Sequence, residues 1–374
     1  MSQPASAASS SAAGPAPDVP AVAGRRARRA VSSGTRLRVL LLVHAHLDPL
    51  RPPPAGAGAE GPLPDQAERD VLGALGQLGH DVQVLPLGSD LAAIERAAAD
   101  HRPHLAFNLI EAFNNYRSFD QHVVGYLECL GLRYTGCNPR GLVLARDKAL
   151  TKKILAFHRV RVPDFTVFPL GRRLRVPRQL GYPLLVKSAT DDGSVGVTRA
   201  SVVHDEAALR ERVAAIHEQS RTDAIAEQFI EGRELYLGVL GNRVARTLPP
   251  WELDLSRLPE GTPKIVTERM KRSPAYQRKY AIDSGPAALS EGEHRQLRQL
   301  GRRVYHLLGL SGYARLDLRM TAQGEVFLIE ANPNPHIGRD EDLARSAAAA
   351  GLSYPQLIDK LLRLGLSYRP YGLA

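Results

Sequence analysis

Between residues 36 and 131, short apolar runs alternate with amphipathic stretches in one order, and that order restricts the fold more than any other feature of the chain. "RLRVLLLV" at 36–43 reads as a strand, and a Pro/Gly-rich loop to about residue 64 leads into a helix in "DQAERDVLGALGQLG". A strand in "DVQVLPL", a helix near 90–100, a strand in "HLAFNLI" and a helix in "SFDQHVVGYLECLG" complete a βαβαβα series. Strands joined through helices pair in parallel, so residues 36–145 are expected to form an α/β domain on a parallel sheet.

The 374 residues suffice for two or three domains with their own cores, and 44% hydrophobic and 24% charged residues are ordinary for a soluble globular protein. The longest apolar run, "VLLLV" at 39–43, is far too short to cross a bilayer, so no membrane partner is expected. Cys129 and Cys137 offer neither a disulfide framework nor a paired metal spacing. They are expected to be buried filler in a reducing, cytoplasmic protein. A net charge of +10 would suit a polyanion. Part of the excess, however, sits in "GRRARRAVSSGTRLR" and the rest is scattered as single arginines without interleaved aromatics, so no nucleic-acid partner is expected. Residues 1–35, basic and rich in Ala, Ser and Pro without apolar periodicity, are expected to be a disordered tail. Their Pro content and Asp18 argue against a transit peptide, and the paired arginines lack the apolar segment of an export signal.

A second unit, 146–231, starts with a helix in "RDKALTKKILAFHRV", which stops before "VPDFTVF", and continues through a strand in "YPLLVKS", a helix at 205–219 and the strand "AIAEQFI". In "PLLVKSATDDGSVGVTRA" a buried strand delivers Lys187 into a Gly/Ser turn, and the chain is expected to re-enter a strand at "VGVTRA". This is no P-loop, since no helix follows and the G-x-x-x-x-G-K spacing is absent. Small residues at 193, 194 and 196 would let backbone N–H groups approach a phosphate that Lys187 neutralises. A plain hairpin turn with a surface lysine fits the same stretch. In "AIAEQFIEGRELYLGVLGN" a segment crossing between lobes could bond an adenine through its backbone, with Glu234 accepting from ribose hydroxyls.

The third unit, 232–374, holds a hairpin, "YARLDLRMTAQGEVFLIEANPNPHIG", followed by helices at 341–350 and 354–365. Ala314, Leu316, Leu318 and Met320 alternate with Arg315, Asp317 and Arg319, the period of a strand with one buried face. Symmetric pairing about "TAQG" would put Arg315 opposite Glu330 and Asp317 one diagonal step away, with Asn332 on the side of Glu330. Two carboxylates and an amide carbonyl on one face make a hard oxygen site of the kind that holds Mg2+ and leaves room for phosphate oxygens. A solvated strand face with a cross-strand ion pair is the plainer alternative, but Pro333 and Pro335 stiffen the backbone directly after these groups.

Taken in order, "RDKALTKKIL", "LLVKSATDDGSVGV", "AEQFIEGREL", "ARLDLRM", "LIEANPNP" and "AGLSYPQLIDKLL" resemble the ATP-grasp fold and, within it, the D-alanine–D-alanine ligase group, over roughly residues 66–366. The resemblance implies an N-terminal parallel α/β domain followed by two α+β grasp subdomains. It also implies an ADP-forming ligase in which ATP phosphorylates a carboxylate and an amine attacks the acylphosphate. Lys148 and Lys187 would hold ATP phosphates under a loop of Gly193, Ser194, Val195 and Gly196. Adenine would meet Glu227, Gln228, Phe229 and Ile230, and the ribose Glu234. Asp317, Glu330 and Asn332 would bind Mg2+, or Mn2+ in its place. Arg315 would stabilise the tetrahedral intermediate, Lys271 would add a phosphate contact, and Glu68 would hold a donor ammonium. The implied partners are small carboxylate and amine substrates, and a homodimer stays open.

The departures from that group lie on the substrate side. A long loop, "HAHLDPLRPPPAGAGAEGPLP", replaces the family's Gly-Gly-x-Ser approach; Glu111 and Ala112 stand where it has His-Gly; Gly193 replaces a serine. Glu341, between Asp340 and Asp342, stands where a serine grips the acceptor carboxylate, although acids at a helix start also serve as caps. Two other outcomes remain: phosphorylation without ligation, and a catalytically silent nucleotide-binding module. Two buried carboxylates without a cation would be costly, which argues against the silent module.

Overall fold

The computed structural model describes residues 35–53, 63–177, 180–191 and 193–370. The expected tail, apart from Thr35, lies outside the described residues. The chain runs β1 (Arg38–His44), α1 (Gln66–Gln77), β2 (Asp81–Leu87), α2 (Ala92–His101), β3 (Leu105–Asn108), α3 (Asp120–Cys129), α4 (Pro139–Arg146) and α5 (Lys148–Phe157). It continues with β4 (Phe165–Phe168), β5 (Leu184–Ser188), β6 (Val202–Val203), α6 (Glu206–Gln219), β7 (Ala224–Gln228), β8 (Arg233–Gly241), β9 (Ala245–Thr247) and β10 (Trp251–Asp254). It ends with α7 (Glu268–Arg272), α8 (Pro274–Lys279), β11 (Asp283–Pro286), α9 (Glu291–Leu307), β12 (Gly312–Met320), β13 (Val326–Pro333), α10 (Asp342–Ala349) and α11 (Tyr354–Ser367).

The first sheet has the order β2-β1-β3 and is parallel throughout, as the strand–helix alternation requires. Its central strand is buried on both faces, with Val39 to Val43 fully inaccessible, which is why it reads as an unbroken apolar run. The second sheet, β4-β7-β5-β6, is antiparallel and carries α6 on one face through Leu209, Val213 and Ile216. The third, β11-β10-β8-β12-β13 with β9 also on β8, supplies Leu235, Leu237, Leu316 and Leu318 to a core shared with Leu40 and Leu42 of the first sheet. Among the described residues, no helix is long and apolar enough to cross a membrane.

Three local expectations differ. "VGVTRA" is not a strand: Gly193, Ser194 and Gly196 hold φ of 71, 61 and 68°, which curls the loop before a 3-10 turn at Arg199–Ser201 and the short β6. Helices α4, α7, α8 and α9 have no counterpart among the expectations, although the start of α4 is well signalled, with Pro139 in the first turn and the Asn138 side chain accepting from Gly141 N–H. Cys137 is buried, but Cys129, at the end of α3, is exposed.

Candidate active site

A cavity of about 660 Å3 is lined from the second and third sheets, by α5 and by the loops around them. Lys148 opens α5, whose N-cap Asp147 accepts from Leu150 N–H. Its buried ammonium donates to the Asp191 carbonyl at 2.5 Å and lies 3.0 Å from Glu330 Oε1. Lys187 comes from β5, and its ammonium is 3.2 Å from Glu227 Oε2 at the end of β7. Burial would raise the Glu330 carboxyl, but Lys148, with Lys187 and Lys271 behind it, holds it below the usual carboxylate range. Burial likewise opposes, and Lys152 and Lys187 outweigh it in keeping, an ionised Glu227.

The hairpin β12–β13 differs from the symmetric register. Leu318 pairs with Leu328 but Asp317 pairs with Glu330, so a β-bulge leaves Ile329 without a cross-strand partner. Uninterrupted, the ladder from the turn would bring Glu330 opposite Leu316, on the apolar face. The extra residue moves Glu330 and Asn332 to the face of Asp317 and Arg315, because side chains alternate with a period of two. Arg315 therefore lies opposite Asn332 and reaches along its own strand to Asp317 in a two-pronged pair at 2.7 and 2.9 Å. Its guanidinium sits 4.6 Å from the centre of the Tyr236 ring. Burial disfavours the charge on Arg315, and Asp317 restores it and raises the pKa. The same strand face carries Arg319, which pairs with Glu234 at 2.6 Å. Burial still lifts the Glu234 carboxyl above its ordinary value.

Among the described residues no group of three or more His, Cys, Asp or Glu side chains forms a metal cage. A cation at the hairpin would thus take two carboxylates and one amide. The fit is acceptable: Asp317 and Glu330 are direct cross-strand neighbours, and Asn332 Nδ2 is buried without a hydrogen-bond partner, so this amide is not committed elsewhere through its nitrogen.

Of the residues singled out from sequence, Lys148, Lys187, Gly193, Ser194, Val195, Glu227 to Ile230, Glu234, Lys271, Arg315, Asp317, Glu330 and Asn332 all line the cavity. Gly196 and Glu68 do not. The Gly196 N–H is taken by Glu268 Oε2 at 2.8 Å and its carbonyl by Arg212. Glu68, on α1, is only 5% exposed, and burial pushes its carboxyl up to about 7. Glu341 is the N-cap residue of α10 but makes no side-chain cap; its carboxylate lies 3.3 Å from His336 Nδ1, and Asp342 accepts from Ser284 Oγ at 2.6 Å. The pairing lowers the Glu341 pKa and raises that of His336. Sequence reasoning missed Arg319, Tyr236 and His336 as cavity residues. Arg319 alone carried a usable signal, its shared parity with Arg315 and Asp317.

The family model described as "D-ala D-ala ligase C-terminus" matches residues 154–363. The D-alanine–D-alanine ligase of Desulforudis audaxviator is 32% identical over 312 residues, covering 83% of this chain and 95% of the relative. That of Bordetella petrii is 31% identical over 308 residues, 81% and 87% of the two chains. In fold, the D-alanine–D-alanine ligase of Bacillus anthracis complexed with ATP superposes with a TM-score of 0.67 at 20% identity, covering 88% of this chain and 97% of that one. With nearly the full length of these relatives spanned, the chain belongs to the D-alanine–D-alanine ligase family of ATP-grasp enzymes, ATP-dependent carboxylate–amine ligases.

Proposed function

We propose that the enzyme joins an amino acid or similar small carboxylate to an amine by way of an acylphosphate, with ATP and Mg2+ in the cavity described above. The observation that carries this reading is Lys148, whose ammonium spans from the glycine loop at Asp191 to Glu330 on the hairpin, so the lysines and the acidic face converge on one space. Lys148, Lys187 and Lys271 neutralise phosphate oxygens, while the segment Glu227–Ile230 offers its backbone to adenine and Glu234 a carboxylate to the ribose. Asp317, Glu330 and Asn332 hold the cation, which supplies charge neutralisation on the phosphates when bound. A substrate carboxylate oxygen attacks the γ-phosphorus and ADP leaves; the amine then attacks the acyl carbon, loses a proton, and phosphate departs. Arg315, locked by Asp317 and the Tyr236 ring, presents a fixed positive charge to the oxyanion of that second step. Segments 36–145, 146–231 and 232–374 serve as substrate-approach, phosphate-loop and metal-bearing units.

On the acceptor side, Asp340, Glu341 and Asp342 stand together on the cavity wall, and although His336 offsets the charge of Glu341, the remaining acids oppose a free α-carboxylate. The acceptor is accordingly an amine without a carboxylate at that spot, or one with an additional positive charge. ADP release across a panel of amino acids and amines, with and without hydroxylamine, tests both statements. An acyl hydroxamate is the expected product. ADP release with a stable phosphorylated product and no hydroxamate would make the protein a phosphotransferase, and no ADP with any pair would make it a nucleotide-binding module.

A further inference from the structure

Lys152 lies one helical turn after Lys148, is 1% exposed, and is not part of the cavity wall. Its ammonium donates to the Ile329 carbonyl at 2.6 Å and lies 3.2 Å from Glu227 Oε1, while the other Glu227 oxygen faces Lys187. Ile329 is the residue that the bulge removes from the ladder, so its carbonyl, in a half-buried stretch of β13, draws its donor from a side chain. A single buried ammonium therefore ties the end of β7 to the one irregularity in β13. That irregularity decides which face Glu330 and Asn332 occupy. Three N–H bonds on a flexible stem let one lysine serve both partners, which a point contact from any neutral side chain of similar length could not do. We propose that Lys152 is a positioning residue: by anchoring the Ile329 carbonyl it holds the bulge that brings Glu330 opposite Asp317, and so builds the cation site without touching the cation.

The inference rests on the reading of Asp317, Glu330 and Asn332 as the cation ligands, so its test includes that reading separately. Mn2+ binding to the full chain, at a saturating non-hydrolysable ATP analogue, is followed by the loss of the free-ion electron paramagnetic resonance signal. Lys152→Met should raise the Mn2+ Kd by on the order of tenfold to a hundredfold, the range for supports of metal ligands. Ile216→Ala, in the core of the second sheet, should lower the melting temperature and leave the Kd unchanged, which separates positioning from general loosening. Lys152→Met/Glu227→Gln removes the carboxylate left facing Lys187 alone. It carries the test where the single variant does not fold, and its Kd should stay weak because Ile329 still lacks a donor. A wild-type Kd in either Lys152 variant, alongside a weakened one in Glu330→Gln, overturns the inference and leaves the metal reading standing. An unchanged Kd in Glu330→Gln overturns both.

Discussion

Replacing Glu68 by Gln should make the enzyme more stable at alkaline pH and leave it nearly unchanged in acid. Glu68 is buried in α1. Burial first, then Glu111 and Asp65, raises its carboxyl to about 7, against its own backbone N–H and His336, which lower it. In the unfolded chain the same group titrates near 4.5. A folded pKa above the unfolded one means that the native state holds an extra proton between these values. The associated stability is fully present below pH 4.5, falls as pH rises toward 7, and is lost above it. The rise from 4.5 to about 7, at about 1.4 kcal/mol per unit, amounts to about 3 kcal/mol, of which about 2 kcal/mol falls between roughly pH 5.5 and 8.5. Urea unfolding of both proteins at those two pH values should therefore show the advantage of Glu68→Gln growing by about 2 kcal/mol. If Glu68 meets a substrate ammonium, the KM for that substrate in the wild type should also fall as pH rises through neutrality. Parallel stability curves, with a constant difference between the two proteins, would refute the buried-carboxyl reasoning.

Glu330→Gln should abolish ADP production with the circular dichroism spectrum retained, since the cation site has few charged ligands to spare; unchanged turnover would remove the metal assignment. Glu341→Ser, which releases His336 from its partner, should improve a simple amino acid such as D-alanine as acceptor and weaken the native one. Efficient condensation of two D-alanines by the wild type would contradict this. Gly365→Ala should cost about 1–3 kcal/mol in a denaturant titration, because a Cβ there would press into the Tyr134 carbonyl against which α11 packs; an unmoved midpoint would mean that α11 shifts freely.

Much of this protein could be read from the chain alone because its signals are local. The alternation of β1 to α3 required a parallel sheet, and the parity of "ARLDLRM" put Arg315, Asp317 and Arg319 on one face whatever their partners. Ordered motifs brought Lys148, Lys187, Glu234 and the hairpin acids to one cavity: the first three sit near a helix start or a strand end, and the acids sit inside strands whose parity follows from local sequence. The register of β13 was not legible in this way. Whether Ile329 stays in the ladder depends on a lysine 177 positions earlier, and no window of sequence contains both. The same holds for Glu68, whose burial is decided by elements distant in the chain, whereas Glu341 turns from a cap to His336, a partner in its own stretch of sequence, because of how the intervening loop folds. Periodicity determined which residues could share a face. Long-range hydrogen bonds and burial decided which of them face each other, and with what charge.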